Sequence, residues 1–435
     1  MGLTTVDTFD LTGRDEALAR DRSAPSPARA EFHLPAARTS NPDGFATVAY
    51  LAGNSLGLQP KATAGEVAEE LRAWSELAVH GHLAGTRPWF DYHALLTEPA
   101  ARLVGALPDE VVMMNSLTVN LHLLMTSFYR PAGRRTRIVI EDRAFSSDSY
   151  AVRSQARLHG LDPDEAVLRL VPRPGEDVLR TDDVVDALHT HADEIATVLL
   201  GAVNYLTGEF MDVPVITAAG HDIGATVGWD LAHAAGNVPL ALHDWNVDYA
   251  AWCTYKYGNA GPGAVAGAFV HQRHLDAAAL PRLEGWWSTR ADRRFLMLPE
   301  SEPPVSADAW ALSNPPILAM SPVRTALAIV DRIGMPTLRQ RSIELTGFTE
   351  SLLGPLVAAG RCTIITPSDP QRRGAQLSVR VPGDASALSR RLDEHWDVIA
   401  DARQPDIVRL APAPLYCTFE DCWRAVRALD AELPA

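Results

Sequence analysis

The chain has 435 residues, 47% of them hydrophobic, which is length and apolar content enough for a substantial core and two or three domains. Its formal net charge of −15 would repel a phosphate backbone or an anionic bilayer, so neither nucleic acid nor a membrane is expected as a partner. Four cysteines (Cys253, Cys362, Cys417 and Cys422) with no C-x-x-C pair exclude a disulfide framework and a zinc knuckle, and fit a reducing cytoplasm.

The opening "MGLTTVDTFDLTGRDEA" lacks the basic-then-apolar order of a signal peptide, and Val6 stands where a myristoylation signal needs Ser or Thr. No apolar run approaches the roughly 18 residues of a membrane span, so a cytosolic protein is expected. Residues 1 to about 45 are rich in Pro, Ala and charge without sustained periodicity, and read as an irregular arm with one short helix. "GEVAEELRAWSELAV" (Gly65 to Val79) carries apolar residues at helical spacing with acids between them and predicts a helix.

"MNSLTVNLHLLMTSFYR" predicts an apolar helix to about Tyr129, capped by Asn115 or Ser116. Amides and hydroxyls around Ser116, Leu117 and Thr118 would then be donors at a positive helix end, fit for a phosphate, although an ordinary capped core helix explains the stretch as well. Strand-like runs follow: "RIVIE" (Arg137 to Glu141), "TVLLGAV" (Thr197 to Val203), "ATVGWD" (Ala225 to Asp230) and "DYAAWCTYK" (Asp248 to Lys256). They are apolar on both faces and separated by helix-length segments, which implies a mainly parallel sheet covered on both sides. After "SNPPIL" (Ser313 to Leu318) comes a long helical region, then strands in "CTIITP", "AQLSVRV", "WDVIADAR" and "DIVRLAP", and the helix "FEDCWRAVRALDAEL". This tail has its own core pattern and reads as a smaller α/β domain.

Lys256 lies between two tyrosines, behind an apolar run and ahead of glycines. An ammonium in an apolar, aromatic pocket is destabilised relative to the free amine, so such a lysine would be nucleophilic and suited to a Schiff base. A lysine that snorkels from a strand end to solvent fits this stretch equally. Asp230 ends an upstream strand and His233 follows it; in an open parallel sheet ligands sit at the carboxyl ends of strands, so Asp230 and Lys256 would face one crevice. A lysine amine and a carboxylate that holds a pyridine nitrogen protonated are the two groups that pyridoxal phosphate needs.

Other constellations fail. "GPGAVAG" (Gly261 to Gly267) has the wrong spacing and context for a dinucleotide fingerprint, and no G-x-S-x-G elbow is present. "HGH" (His80 to His82), "HTH" (His189 to His191) and "HQRH" (His271 to His274) lack the H-E-x-x-H frame and read as surface or core histidines, so no metal is expected.

The segments "YLAGNSLGLQPK", "HGHLAGTRPW", "SLTVNLHLLMTSF", "WDLAHAAGNVPLALHDWNVDYAAWCTYKYGNAGPGAVAGAFVH", "SNPPIL" and "RLAPAPLY" resemble those of the kynureninase family, fold-type-I pyridoxal phosphate enzymes of the aminotransferase class V superfamily. The likeness runs from about Tyr50 to Phe419. It implies an α/β fold: a large domain over 61–312 with a mainly parallel seven-stranded sheet sandwiched by helices, a small α/β domain over 313–435, and an arm over 1–60 that joins the small domain. It also implies that Lys256 holds pyridoxal 5'-phosphate, Asp230 pairs with the pyridine nitrogen and His233 lies beside the ring. Leu117, Thr118 and Tyr255 would bind the phosphate, and Phe145 would stack on the ring with Asp148 nearby. Arg409 would clamp the substrate α-carboxylate. Trp286 and Asn314 would reach the site from the partner in a homodimer. His82, Asn314 and Ser55 would line the substrate's aromatic ring and favour 3-hydroxy-L-kynurenine over L-kynurenine. Gly201 and Ala202 stand where some members carry a hydroxyl that contacts the phosphate.

The implied reaction is hydrolysis of the Cβ–Cγ bond to L-alanine and an anthranilate through aldimine, quinonoid and ketimine stages, with Tyr255 as the proton donor. Rival readings are a cysteine desulfurase or a class V aminotransferase, and a non-catalytic regulatory protein on the same fold. A ring-methylated substrate also stays open, as does the pathway: tryptophan breakdown, NAD supply or an anthranilate-derived product.

Overall fold

The apolar runs of the middle of the chain form one seven-stranded sheet. In the computed structural model, which describes residues 8–38, 44–276 and 280–434, these strands are β1 (Val111–Met113), β2 (Arg137–Glu141), β3 (Val167–Leu170), β4 (Ile195–Gly201), β5 (Thr226–Asp230), β6 (Tyr249–Trp252) and β7 (Gly267–Val270). Their order across the sheet is β1-β7-β6-β5-β4-β2-β3. β7 runs antiparallel to both neighbours and the other pairings are parallel. Every residue of β6 is buried, as are most of those of β4 and β5, which is why these strands read as unbroken apolar runs rather than alternating ones. Because β2, β4, β5 and β6 are parallel, Glu141, Gly201, Asp230 and Trp252 end at the same edge of the sheet.

This sheet belongs to a unit comprising residues 62–205 and 210–332. The helix Ile317–Ile333 associates with this unit almost to its end. The expected helix near Gly65 runs over Thr63–Leu77, and the phosphate-side helix over Leu117–Phe128.

The second unit comprises residues 1–61, 206–209 and 333–435. Its antiparallel sheet has the order Asp401–Arg403, Ile407–Leu410, Leu377–Arg380, Thr363–Ile364, and a separate parallel pair joins Ala49–Tyr50 to Val398–Ile399. Leu377, Val379, Val408 and Leu410 turn one face of this sheet into a core with Leu353, Leu392 and Leu429. The N-terminal arm departs from expectation: the helix Thr8–Ser23 spans 16 residues. Tertiary partners account for it rather than periodicity. Arg14 pairs with Glu420 at 3.1 Å, and the Asp21 carboxylate accepts from the amides of Phe419 at 2.9 Å and Glu420 at 3.0 Å, capping the helix Phe419–Glu432. The parts of the arm at 1–7 and 39–43 lie outside the described residues.

Candidate active site

Lys256 is not on a strand. β6 stops at Trp252, and Lys256 follows in a turn closed by Ala260 N–H donating to the Thr254 carbonyl at 3.0 Å and Asn259 N–H to the Lys256 carbonyl at 3.0 Å. The expected strand to Lys256 therefore ends four residues early. Gly258 is required there, since a Cβ would come within 2.4 Å of the Thr254 carbonyl oxygen. The turn projects Lys256 over the carboxyl edge of the sheet, where its Nζ lies 3.0 Å from His233 Nε2 and 5.8 Å from the Phe145 ring centre. The side chain is half-buried rather than extended into solvent, which removes the snorkelling reading.

Asp230 ends β5 as expected and is buried. Its Oδ1 accepts from the Ala232 amide at 2.6 Å. Burial raises its pKa against the opposing effects of a bond from Asp148, that amide and the Lys256 charge. Asp148, in the first turn of the helix Ser146–Leu158, is pushed well above the carboxylate range by burial, then by the Asp230 charge and its bond to Asp230. Both carboxyls are thus raised, with burial the largest cause in each. Two facing buried carboxyls provide a place for one cation, and a protonated pyridine nitrogen is such a cation.

The helix Leu117–Phe128 starts with Ser116 at its N-cap position in extended backbone, but no side chain caps it. Asn115, the other expected cap, instead donates to Asn120 Oδ1 at 3.0 Å. The first-turn amides are left to a ligand, and Ser116, Leu117 and Thr118 line the same cleft as Lys256. That cleft, about 720 Å³ with its open mouth, is also lined by Asp148, Asp230, His233, Phe145 and Tyr255. An amine, a carboxyl pair and uncapped helix amides in one cleft fit the aldehyde, ring nitrogen and phosphate of pyridoxal phosphate.

Eight of the expected residues thus come together: Lys256, Asp230, His233, Tyr255, Leu117, Thr118, Phe145 and Asp148. The others do not line this cleft. His82 is exposed, with its ring edge-on to Trp89 at 5.5 Å; Trp286 is edge-on to Phe295 at 5.7 Å; Asn314 lies exposed in a loop. Ser55 and Arg409 belong to the other unit, Ser55 exposed and Arg409 fully buried beside Asp401. Sequence reasoning missed Glu141. It is buried, lines the cleft and accepts from Asn204 Nδ2 at 3.0 Å. Its signal was present: like Asp230, it is an acid closing an apolar strand. A Cβ on Gly201 would lie 3.1 Å from Glu141 Oε1, so the missing hydroxyl position leaves room for this carboxylate.

The histidine groups resolve differently. Among the described residues, Glu110, His243 and His271 bring possible ligand atoms within 4.8 Å of one another. Glu110 already accepts from His243 Nδ1 at 2.9 Å and from the amides of Leu107 and Gln272 at 2.8 Å each, and the two imidazoles stack at 10°, so their lone pairs run parallel instead of converging on an ion. All four cysteines are buried, and burial raises each thiol's pKa. None is the mobile, ionisable nucleophile a desulfurase needs.

The fold is that of fold-type-I pyridoxal phosphate enzymes. Solved structures agree on the fold: the chain superposes on the cystine C–S lyase C-DES in complex with cysteine persulfide (TM-score 0.74, 18% identity, 89% of this chain and 98% of that one). It also superposes on apo cysteine desulfurase from Thermococcus onnurineus (TM-score 0.72, 17% identity, 88% and 94%). The sequence discriminates within the class. Residues 338–429 match the family model for the kynureninase C-terminal domain. Kynureninase of Salinispora tropica is 62% identical over 97% of this chain and 98% of its own length, and that of Koribacter versatilis 50% identical over 98% and 99%. The chain belongs to the kynureninase family. It is a hydrolase that cleaves a carbon–carbon bond of kynurenine, and pyridoxal 5'-phosphate is its cofactor.

Proposed function

We propose that the enzyme hydrolyses the Cβ–Cγ bond of 3-hydroxy-L-kynurenine in preference to L-kynurenine, releasing L-alanine and 3-hydroxyanthranilate. The observation that supports the chemistry most directly is Lys256 Nζ at 3.0 Å from His233 Nε2 in the cleft that holds the Asp148–Asp230 pair. Bound pyridoxal phosphate supplies an electron sink for the bonds broken at the substrate's amino acid end. The chain's residues do the rest. Leu117 and Thr118 anchor the phosphate, Asp230 keeps the ring nitrogen protonated, and Asp148 holds Asp230 in place. Phe145 covers the ring. Once its amine is free, Lys256 Nζ takes the substrate's α-proton, with His233 orienting it. Water adds to the γ-carbonyl, and as the Cβ–Cγ bond breaks Tyr255 protonates Cβ while Cγ leaves as the aryl carboxylic acid, the proton given up by that water restoring Tyr255. Burial raises the Tyr255 pKa, so the hydroxyl keeps its proton at neutral pH and serves as an acid.

Arg409 takes the substrate α-carboxylate, a bidentate task suited to a guanidinium. Trp286 and Asn314 complete the partner's site in a homodimer, and His82, Asn314 and Ser55 face the aromatic ring. Exposed Val79, Leu83, Phe295 and Met297 favour such a dimer, being 71%, 76%, 64% and 68% accessible in the single chain. No helix among the described residues is long and apolar enough to cross a membrane; four free, buried cysteines agree with a cytoplasmic site.

Incubating the cofactor-loaded enzyme with each kynurenine in parallel, and quantifying alanine and aryl acid, tests the reading. Faster cleavage of the 3-hydroxylated substrate is expected. Faster cleavage of L-kynurenine would overturn the preference, and no alanine from either would overturn the reaction.

A further inference from the structure

We infer that Asp401 is a positioning residue for Arg409, fixing the guanidinium on a polar face of the small antiparallel sheet. The inference rests on the reading of Arg409 as partner of the substrate carboxylate. Register comes first. Asp401 stands directly opposite Arg409 across the antiparallel pair, and Arg403 opposite Ile407. Directly opposed residues share a face, as do residues two apart, so Asp401, Arg403 and Arg409 all project to one side. On the next strand Ser378 is opposite Arg409, with Gln376 two residues before it.

The two faces differ in kind. Leu377, Val379, Val408 and Leu410 pack into the unit's core. The other face buries polar groups: Arg409 and Ser378 are 0% exposed and Gln376 1%. Gln376 donates to Ser378 Oγ at 3.0 Å and accepts from Asn54 Nδ2 at 2.8 Å. Burying polar groups costs stability that an apolar face would not lose, which points to a task for this face beyond holding the sheet together.

Within it, the Asp401 carboxylate is gripped from two sides. Arg409 Nη2 donates to Oδ2, and Arg403 Nη1 donates to Oδ1 at 2.6 Å. With both oxygens held, Asp401 cannot rotate, and Arg409 is oriented by a carboxylate that is itself fixed. Asp401 thus orients buried Arg409 before substrate arrives.

The test uses the cofactor-loaded full chain with L-kynurenine, and a second readout that needs no turnover: L-alanine binding followed by the cofactor's absorption. Asp401→Asn should raise KM and the alanine dissociation constant about tenfold, the loss of one charge-assisted contact, with kcat held within about twofold. An unchanged KM and alanine affinity would overturn the inference. A lowered KM would overturn it too, by making Asp401 a competitor of the substrate. Arg409→Gln separates the two readings: if it leaves KM and alanine binding intact, both fall; if it raises them while Asp401→Asn does not, only the role of Asp401 falls. Should Asp401→Asn not fold, Asp401→Glu decides, since moving the carboxylate by one methylene should still raise KM and a normal KM would overturn the inference.

Discussion

Two buried aspartates stand at opposite ends of neighbouring strands, Asp230 closing β5 and Asp248 just ahead of β6, and their surroundings drive them in opposite directions. Both are nearly inaccessible, at 7% and 3% exposure, so burial alone would raise both pKa values. Asp230 stays raised because burial outweighs the bond with Asp148, the Ala232 amide and the Lys256 charge. At Asp248 burial is outweighed: His221 Nε2 at 2.8 Å, His274 Nε2 at 2.7 Å, the Val227 amide at 2.6 Å and the Arg273 guanidinium at 2.5 Å hold it well below the carboxylate range. One end of the strand pair is electrostatically complete and serves the fold. The other is complete only with a cation, and serves the chemistry.

The comparison can be broken at its strongest point by Lys256→Ala. Alanine release should fall at least about a thousandfold while the melting temperature of the cofactor-free protein is kept. A near-normal rate would remove the site reading altogether. Next in size is the contrast between the aspartates themselves. Asp230→Asn should cut turnover about a hundredfold without lowering the unfolding free energy of the cofactor-free protein, because its ionised form is a burden there. Asp248→Asn should cost about 3 kcal/mol of stability, stranding two histidines and an arginine, yet leave the rate per folded molecule unchanged. Urea titrations and alanine assays on both variants check this, and a stability loss in Asp230→Asn with none in Asp248→Asn would reverse the assignment.

The smallest effect is the pH dependence of stability without cofactor. Asp230 and Asp148 have folded pKa values above the unfolded one, so their contribution is full below about pH 4 and is lost as pH rises through the folded values. Asp248 has the opposite sign: its contribution is present above about pH 4 and lost as pH falls toward its depressed folded value. Each pKa unit is worth about 1.4 kcal/mol. Asp230→Asn should therefore flatten the alkaline side of the profile and Asp248→Asn the acid side; the same flattening in both would show that neither aspartate governs its limb.

Much of this arrangement was legible along the chain. "RIVIE" and "ATVGWD" end in the structure where the sequence places them, at Glu141 and Asp230, since strands buried on both faces have no polar face to blur their limits. The segment around Lys256 was less legible. Apolar and aromatic residues continue past Trp252, so pattern alone extends the strand, whereas the Thr254–Ala260 turn depends on backbone hydrogen bonds and the close approach at Gly258. The helix Thr8–Ser23 escaped for a related reason: it is held by Arg14–Glu420 and by Asp21 capping a helix some 400 residues later, contacts that no local window contains. Glu141 was visible as a strand-end acid, but its meaning required Asn204 and Gly201 beside it.

The sequence by itself determined the alternation of buried strands and helices, the chemical types available for a lysine-bound cofactor, and, through long family-specific segments, the kynureninase assignment. These are properties of local pattern and of residue identity. Only the tertiary structure decided which carboxyls face one another, which histidines are consumed in stacking and hydrogen bonding around Glu110, and that Asp401 faces Arg409. Electrostatic roles depend on distance and burial, and folding sets both between residues far apart in the chain.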